Sequence, residues 1–232
     1  MSYSACASLF SRYDLVLSRD CYELLSAYAQ LLIEESDIQN VTAVRSLPEI
    51  WVRHFLDSAY ILRCFPDGSS IIDIGTGAGV PGIPLAILNP TLKITLLDSE
   101  LRKTEFCRKA ISELHLHVDV ICGRAEELAS AQNNREQFDF AVSRAMAAGS
   151  MLSELAFPFV RVGGAMIAMK GKNYDPDNER FESAVPLLGG SLRPVIGYEL
   201  ENEPKTLVIA DKTAPTDAKY LRRFAKIKRN PL

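Results

Sequence analysis

The segment Ile71-Ile72-Asp73-Ile74-Gly75-Thr76-Gly77-Ala78-Gly79-Val80-Pro81-Gly82 constrains the fold more than any other part of the chain. A short β-branched apolar run reads as a buried strand, an acid stands near its end, and alternating glycines lead into a Pro-started helical pattern. Such a strand, loop and helix form a nucleotide cradle, because glycine lets the backbone turn sharply and approach a ligand where a Cβ would intrude. A second strand pattern, Lys93 to Leu97, ends in Asp98. An acid at that strand tip is where the two hydroxyls of a ribose are held.

The spacing selects the nucleotide. A dinucleotide fingerprint, G-x-G-x-x-G, needs a glycine at position 80, which is valine. The pattern is instead D-x-G-x-G-x-G, from Asp73 through Gly75 and Gly77 to Gly79, and it resembles the first motif of the S-adenosylmethionine methyltransferases. That cofactor has no pyrophosphate to set on a helix N-terminus, but its α-amino group and sulfonium favour a nearby carboxylate. No G-x-x-x-x-G-K-[ST] occurs, which excludes a P-loop. A ligand-free glycine-rich turn or an atypical NAD site is the alternative.

Periodicity places this motif in an α/β chain. An amphipathic helical pattern runs from about Ser8 to Asp37, and Pro48 starts another helix carrying Trp51, Arg53, His54, Phe55, Leu56 and Asp57. After Pro66-Asp67-Gly68 the pattern changes to alternating strand and helix: a helix from Leu101 to Leu114, strands at Val118 to Cys122, Phe138 to Val142 and Ala165 to Met169, and a helix near Met151 to Phe159. Two final strands, Leu192 to Leu200 and Thr206 to Ala210, have no helix between them and must pair antiparallel. The expectation is the class I S-adenosylmethionine-dependent methyltransferase fold, a Rossmann-like, seven-stranded, mostly parallel sheet. It divides into an N-terminal helical cap (1–66), a methyltransferase domain (67–217) and a basic C-terminal tail (218–232). Ligands then lie beyond the carboxyl ends of the parallel strands. That brings the 75–80 loop together with Gly123-Arg124-Ala125-Glu126 and Ser143-Arg144-Ala145.

Composition narrows the class. With 232 residues, 47% of them hydrophobic and 24% charged, disorder is excluded. No apolar run reaches a membrane-spanning length and the N-terminus lacks a basic signal region, so a cytoplasmic protein without membrane association is expected. The 5 cysteines form no C-x-x-C pair and read as reduced thiols. His115 and His117 lack a third ligand in sight, and no metal is expected. The net charge of −3 is uneven. Lys219, Arg222, Arg223, Lys226, Lys228 and Arg229 crowd the last fifteen residues without an acid, interleaved with Tyr220 and Phe224, on an otherwise acidic chain. That pattern suits phosphate neutralisation and stacking on bases, or a solvated tail.

Several stretches together resemble one family. Asn40-Val41-Thr42, Arg53-His54-Phe55-Leu56-Asp57-Ser58, Asp73 through Leu85, Leu96-Leu97-Asp98-Ser99, Ser143-Arg144-Ala145 and Met169-Lys170-Gly171 are similar to the bacterial small-subunit ribosomal RNA methyltransferases RsmG, also called glucose-inhibited division protein B. Departures from the family pattern stand at Val80, Val41, Met169 and Leu221. The resemblance implies methyl transfer from S-adenosylmethionine to N7 of a guanine in the 530 loop of 16S ribosomal RNA, with naked RNA or the small ribosomal subunit as partner and the protein as a monomer. N7 loses no proton on attack, so no general base is expected. Gly75, Gly77, Gly79, Val80, Asp73, Asp98, Ala125, Glu126 and Arg144 are then the candidate cofactor residues. Arg144 and Lys170 are the candidates for orienting guanine, followed by Asn40, His54 and Asp57, and the six basic tail residues are candidates for RNA contact. A methyltransferase-like ribosome assembly factor, or a methyltransferase for another substrate, is the alternative.

Overall fold

The computed structural model describes residues 1–39, 41–130 and 134–232. Among them one sheet runs in the order β3-β2-β1-β4-β5-β8-β6, with β7 also paired to β8. Its strands are β1 Ser70–Ile74, β2 Lys93–Asp98, β3 Val118–Cys122, β4 Phe138–Arg144, β5 Val160–Lys170, β6 Gly190–Leu192, β7 Ile196–Leu200 and β8 Glu203–Lys212. The first five are parallel, and β8 enters antiparallel against β5. The expected last strand pair is therefore present with one difference. The edge line from 190 to 200 is split into β6 and β7 around Pro194, which has no N–H for the ladder. Seven sheet positions thus hold eight strands.

Strand alternation sorts side chains into two cores. Ile71, Leu96, Ile167 and Met169 face the N-terminal helices together with Trp51, Phe55 and Tyr28. Ile72, Ile74, Leu97, Met166 and Ala168 face the helix Gly149–Ala156 and its neighbours. The helices within residues 1–39 and 47–64 share the first core with the helices Gly82–Leu88 and Leu101–Glu113, so they are continuous with the sheet's apolar layer. The single long helix expected near the N-terminus divides in two, Tyr3–Ser11 and Arg19–Gln39, because Ser18 restarts the helix by accepting from the Cys21 N–H at 3.1 Å. The Pro48 helix runs from 47 to 64 and widens to π geometry over Trp51–Leu56, the segment that carries Arg53 and His54 toward the strand tips.

The first helix after β1 lies very close to the sheet. A Cβ on Gly82 would stand 2.2 Å from Leu96 Cδ2 and 3.1 Å from Asp73 Oδ2. Gly82→Ala is therefore expected to destabilise the fold by about 1–3 kcal/mol through overpacking, read as a lowered denaturation midpoint. An unchanged midpoint would mean that this contact is not tight.

Candidate functional site

The glycine loop is braced from beneath by two carboxylates. Asp73, fully buried at the end of β1, accepts from Thr76 Oγ1 at 2.6 Å and from the Gly82 N–H at 2.9 Å, both on Oδ2. Its Oδ1 is buried and has no hydrogen-bond partner. Asp98, at the end of β2, accepts from the Gly77 N–H on Oδ2 and from the Glu100 N–H on Oδ1, each at 2.9 Å. The amides of Gly75 and Thr76 donate to Leu97 O, and Tyr28 donates its hydroxyl proton to Ala78 O. Gly75, Gly77 and Gly79 hold φ of +70°, +60° and +89°, conformations that L side chains rarely adopt. Burial pushes the Asp73 carboxyl up to about 6 against the lowering effect of its two hydrogen bonds and of Arg144.

Two clefts open above this loop and meet at Gly75, Arg144 and Ala145. The first runs from Asp98 past Gly123 to Glu126 to Met151 and Phe224. The second is walled by Thr42, His54, Asp57, Val80, Lys170 and Lys205. Ala145, at the seam, has φ +52°, a strained conformation for an alanine at the point where β4 turns away.

Arg144 is held rather than free. Its Nη1 donates to Arg53 O at 2.7 Å and meets His54 Nδ1 at 3.2 Å, while Asp57 Oδ2 lies 3.9 Å away. Arginine offers no acceptor, so His54 Nδ1 must accept and Nε2 carries the proton, donated to Thr42 Oγ1 at 3.0 Å. Thr42 also accepts from the Val44 N–H. Burial first, and then the Arg144 charge, lowers His54 to about 3, which keeps the ring neutral. Burial raises Asp57, opposed by Lys205 and Arg144, and Asp57 Oδ1 accepts from the Tyr198 hydroxyl at 2.9 Å.

The expected residues divide by position. Gly75 and Arg144 line both clefts; Gly77 and Val80 line the second, and Asp98, Ala125 and Glu126 the first. Asp73 lies behind the loop, and Gly79 faces inward, where a Cβ would meet Ile83 and Tyr28. Lys170 touches the second cleft, but its ammonium donates to Ala147 O and to Glu179 Oε2, both at 2.7 Å, and so tethers the chain that leaves β4. The tail corrects a second expectation. Arg222 points inward onto buried Glu154, which leaves Lys219, Arg223, Lys226, Lys228 and Arg229 exposed. Asn40 lies outside the described residues. Among those described, no group of three His, Cys, Asp or Glu is placed to hold a metal ion, and no helix is long and apolar enough to cross a membrane. Lys205, which lines the second cleft, and Tyr198, which backs it through Asp57, were not singled out by sequence, since only the β7–β8 pairing brings them there.

A doubly wound sheet with antiparallel β8, a glycine loop braced by Asp73 and Asp98, and paired clefts at the strand tips define a class I S-adenosylmethionine-dependent methyltransferase. Solved structures agree on the fold. The O-methyltransferase TomG from Streptomyces achromogenes superposes with TM-score 0.59 at 18% identity, over 92% of this chain and 100% of that one. TrmN from Thermus thermophilus does so at 0.53 and 17%, over 70% and 53%. The family follows from sequence. The model for GidB, rRNA small subunit methyltransferase G, matches residues 21–198. The protein of that name from Oenococcus oeni is 38% identical over 94% of this chain and 93% of its own. That from Clostridium botulinum is 40% identical over 91% and 90%. The chain belongs to the small-subunit ribosomal RNA methyltransferase G family.

The residues present fit the family's cofactor. Asp73 Oδ1 is an orphaned buried acceptor behind the loop, a Cβ at Gly77 would enter open space that a ligand can fill, and both Asp98 oxygens retain lone pairs for ribose hydroxyls. Asp73 also carries a pH signature. Its folded pKa of about 6 exceeds the ordinary value of 3.8, so the native state binds the proton more tightly. The stability it contributes is full below the unfolded value and is lost as pH rises through 6. Asp73→Asn, neutral throughout, is expected to exceed the wild type in stability at pH 8 by about 3 kcal/mol and to come close to it near pH 4. Urea denaturation at the two pH values checks this; an equal loss at both would contradict the burial cost.

Proposed function

We propose that this chain methylates N7 of a guanine in the 530 loop of 16S ribosomal RNA, with S-adenosylmethionine lying across the two clefts. The cofactor supplies an electrophilic methyl group on a sulfonium. Asp98 holds the ribose, Ala125 and Glu126 flank the adenine, Gly75 and Gly77 admit the methionine backbone, and Val80 packs beside it. Asp73 holds the loop in shape and offers its unpartnered oxygen toward the α-amino side. Arg144 at the seam fixes a positive charge against the cofactor's carboxylate and the incoming base, and Lys170 positions the loop that follows Arg144.

The observation that carries this reading is the state of the second cleft. The Nδ1 lone pair of His54 faces the Arg144 guanidinium and its Nε2 proton faces Thr42, so the imidazole has no free lone pair with which to take a proton. Asp57 stands between Tyr198 and two cations. A cleft arranged this way suits a nucleophile that attacks through an in-plane lone pair and loses no proton, as guanine N7 does. Rate then comes from holding N7 in line with the methyl group at about 3–3.5 Å. A-form RNA buries the N7 edge in a narrow groove, so the target base enters from a loop or flipped out. The exposed tail cations neutralise flanking phosphates.

Transfer of labelled methyl to ribosomal RNA and small subunits, with the product nucleoside mapped, tests the reading. 7-Methylguanosine in the 530 loop is the expected product, and substitution of 7-deazaguanosine at that position abolishes it. Methylation of the deaza substrate, or RNA binding with no transfer, would overturn it. Gly77→Asp places a carboxylate in the open space above the loop and is expected to lower turnover at least a hundredfold in a folded protein. Full activity in that variant would displace the site.

A further inference from the structure

The segment after β8 closes back onto the molecule. Arg222 donates from Nε and Nη2 to the carboxylate of Glu154, and the Leu232 N–H donates to Glu154 Oε1 at 3.0 Å. The two charged side chains are 8% and 0% exposed. Ile227 is buried in the second core. Glu154 belongs to the helix Gly149–Ala156, whose Met151 and Leu155 line the first cleft. Phe224 lines that cleft from the tail, with the Arg124 guanidinium 5.3 Å from its ring centroid. Lys219, Arg223, Lys226, Lys228 and Arg229 remain exposed on the same segment.

We propose that Phe224 is a cofactor-binding residue, the outer wall at the adenosine end of the first cleft, and that segment 218–232 thereby makes cofactor binding and rRNA binding reinforce each other. This rests on the methyl-donor reading above. The inner side of the segment is one unit: undocking it would strand the Glu154 charge beside the sheet and expose Ile227, so Phe224 stays at the cleft only while Arg222 stays paired. The outer side carries the charges. Phosphates bound there hold the segment down, which holds the aromatic wall against the adenine. By linkage, a filled cleft then favours RNA by the same factor.

The test uses the full chain and calorimetry with S-adenosylmethionine and with 5′-methylthioadenosine, which presents the adenosine end alone. Phe224→Ala is expected to weaken both ligands about tenfold, in line with loss of a base–aromatic contact, and Phe224→Tyr to restore most of the affinity. Should Phe224→Ala fail to fold, Phe224→Leu, which keeps an apolar wall without the ring, carries the same expectation. An rRNA fragment bearing the 530 loop is expected to tighten cofactor binding several-fold in the wild type. That gain disappears when Lys219, Arg223, Lys226, Lys228 and Arg229 are replaced by glutamine. Unaltered affinity in a folded ring-deleted variant overturns the wall, and an equal RNA gain in the charge variant overturns the coupling. A wild-type chain that binds neither ligand overturns the methyl-donor reading itself, and this proposal with it.

Discussion

The buried carboxylate of Asp73 is the interaction on which the rest of the site depends. One oxygen ties Thr76, inside the glycine loop, to the amide of Gly82, where the following helix starts, so strand tip, loop and helix are fixed relative to one another by a single group. Keeping that group in an apolar layer is costly, as its upward shift shows. The second oxygen is left without a partner. An unpartnered buried acceptor adds to that cost, so the loop's geometry is held at the expense of stability.

The same logic extends across the seam. Arg144 reaches from β4 to a backbone carbonyl of the π-helical segment and to His54, so the N-terminal helices and the sheet meet through a guanidinium with fixed orientation. Its charge sets the His54 tautomer, and the tautomer sets the Thr42 contact. Asp57 and Lys205 close the far wall, backed by Tyr198, which donates to Asp57 and stacks on Tyr60 at 4.0 Å between centroids. Positive charge at the mouth and a neutral, fully engaged imidazole suit an anionic polymer whose reacting base needs alignment rather than deprotonation.

The fold was legible because its signals are local. The β-branched runs, the glycines at 75, 77 and 79 and the acids at 73 and 98 each mark their own backbone, and the alternation of β1 and β2 was readable from a few residues. The break between the first two helices carries only local marks, a left-handed Asp14 at φ +58° and the Ser18 cap at the restart, neither of which interrupts the apolar content of the sequence. The charges misled where their partners are distant. Arg222 read as part of a basic arm, yet its partner Glu154 lies 68 positions away in the chain. Lys170 likewise read as a group facing substrate, and its ammonium is occupied by Ala147 and Glu179. Lys205 reaches the cleft, and Tyr198 reaches Asp57, only through hairpin register, which spacing does not encode.

The central claim is that this site works by positioning, with no group among the described residues accepting a proton from the substrate. The single-turnover rate of methyl transfer as a function of pH, with cofactor and RNA saturating, tests it most directly. A rate that is flat from pH 7 to 8.5 is the expected result. A rate that continues to climb above pH 7 would place a general base in the cleft and contradict the mechanism.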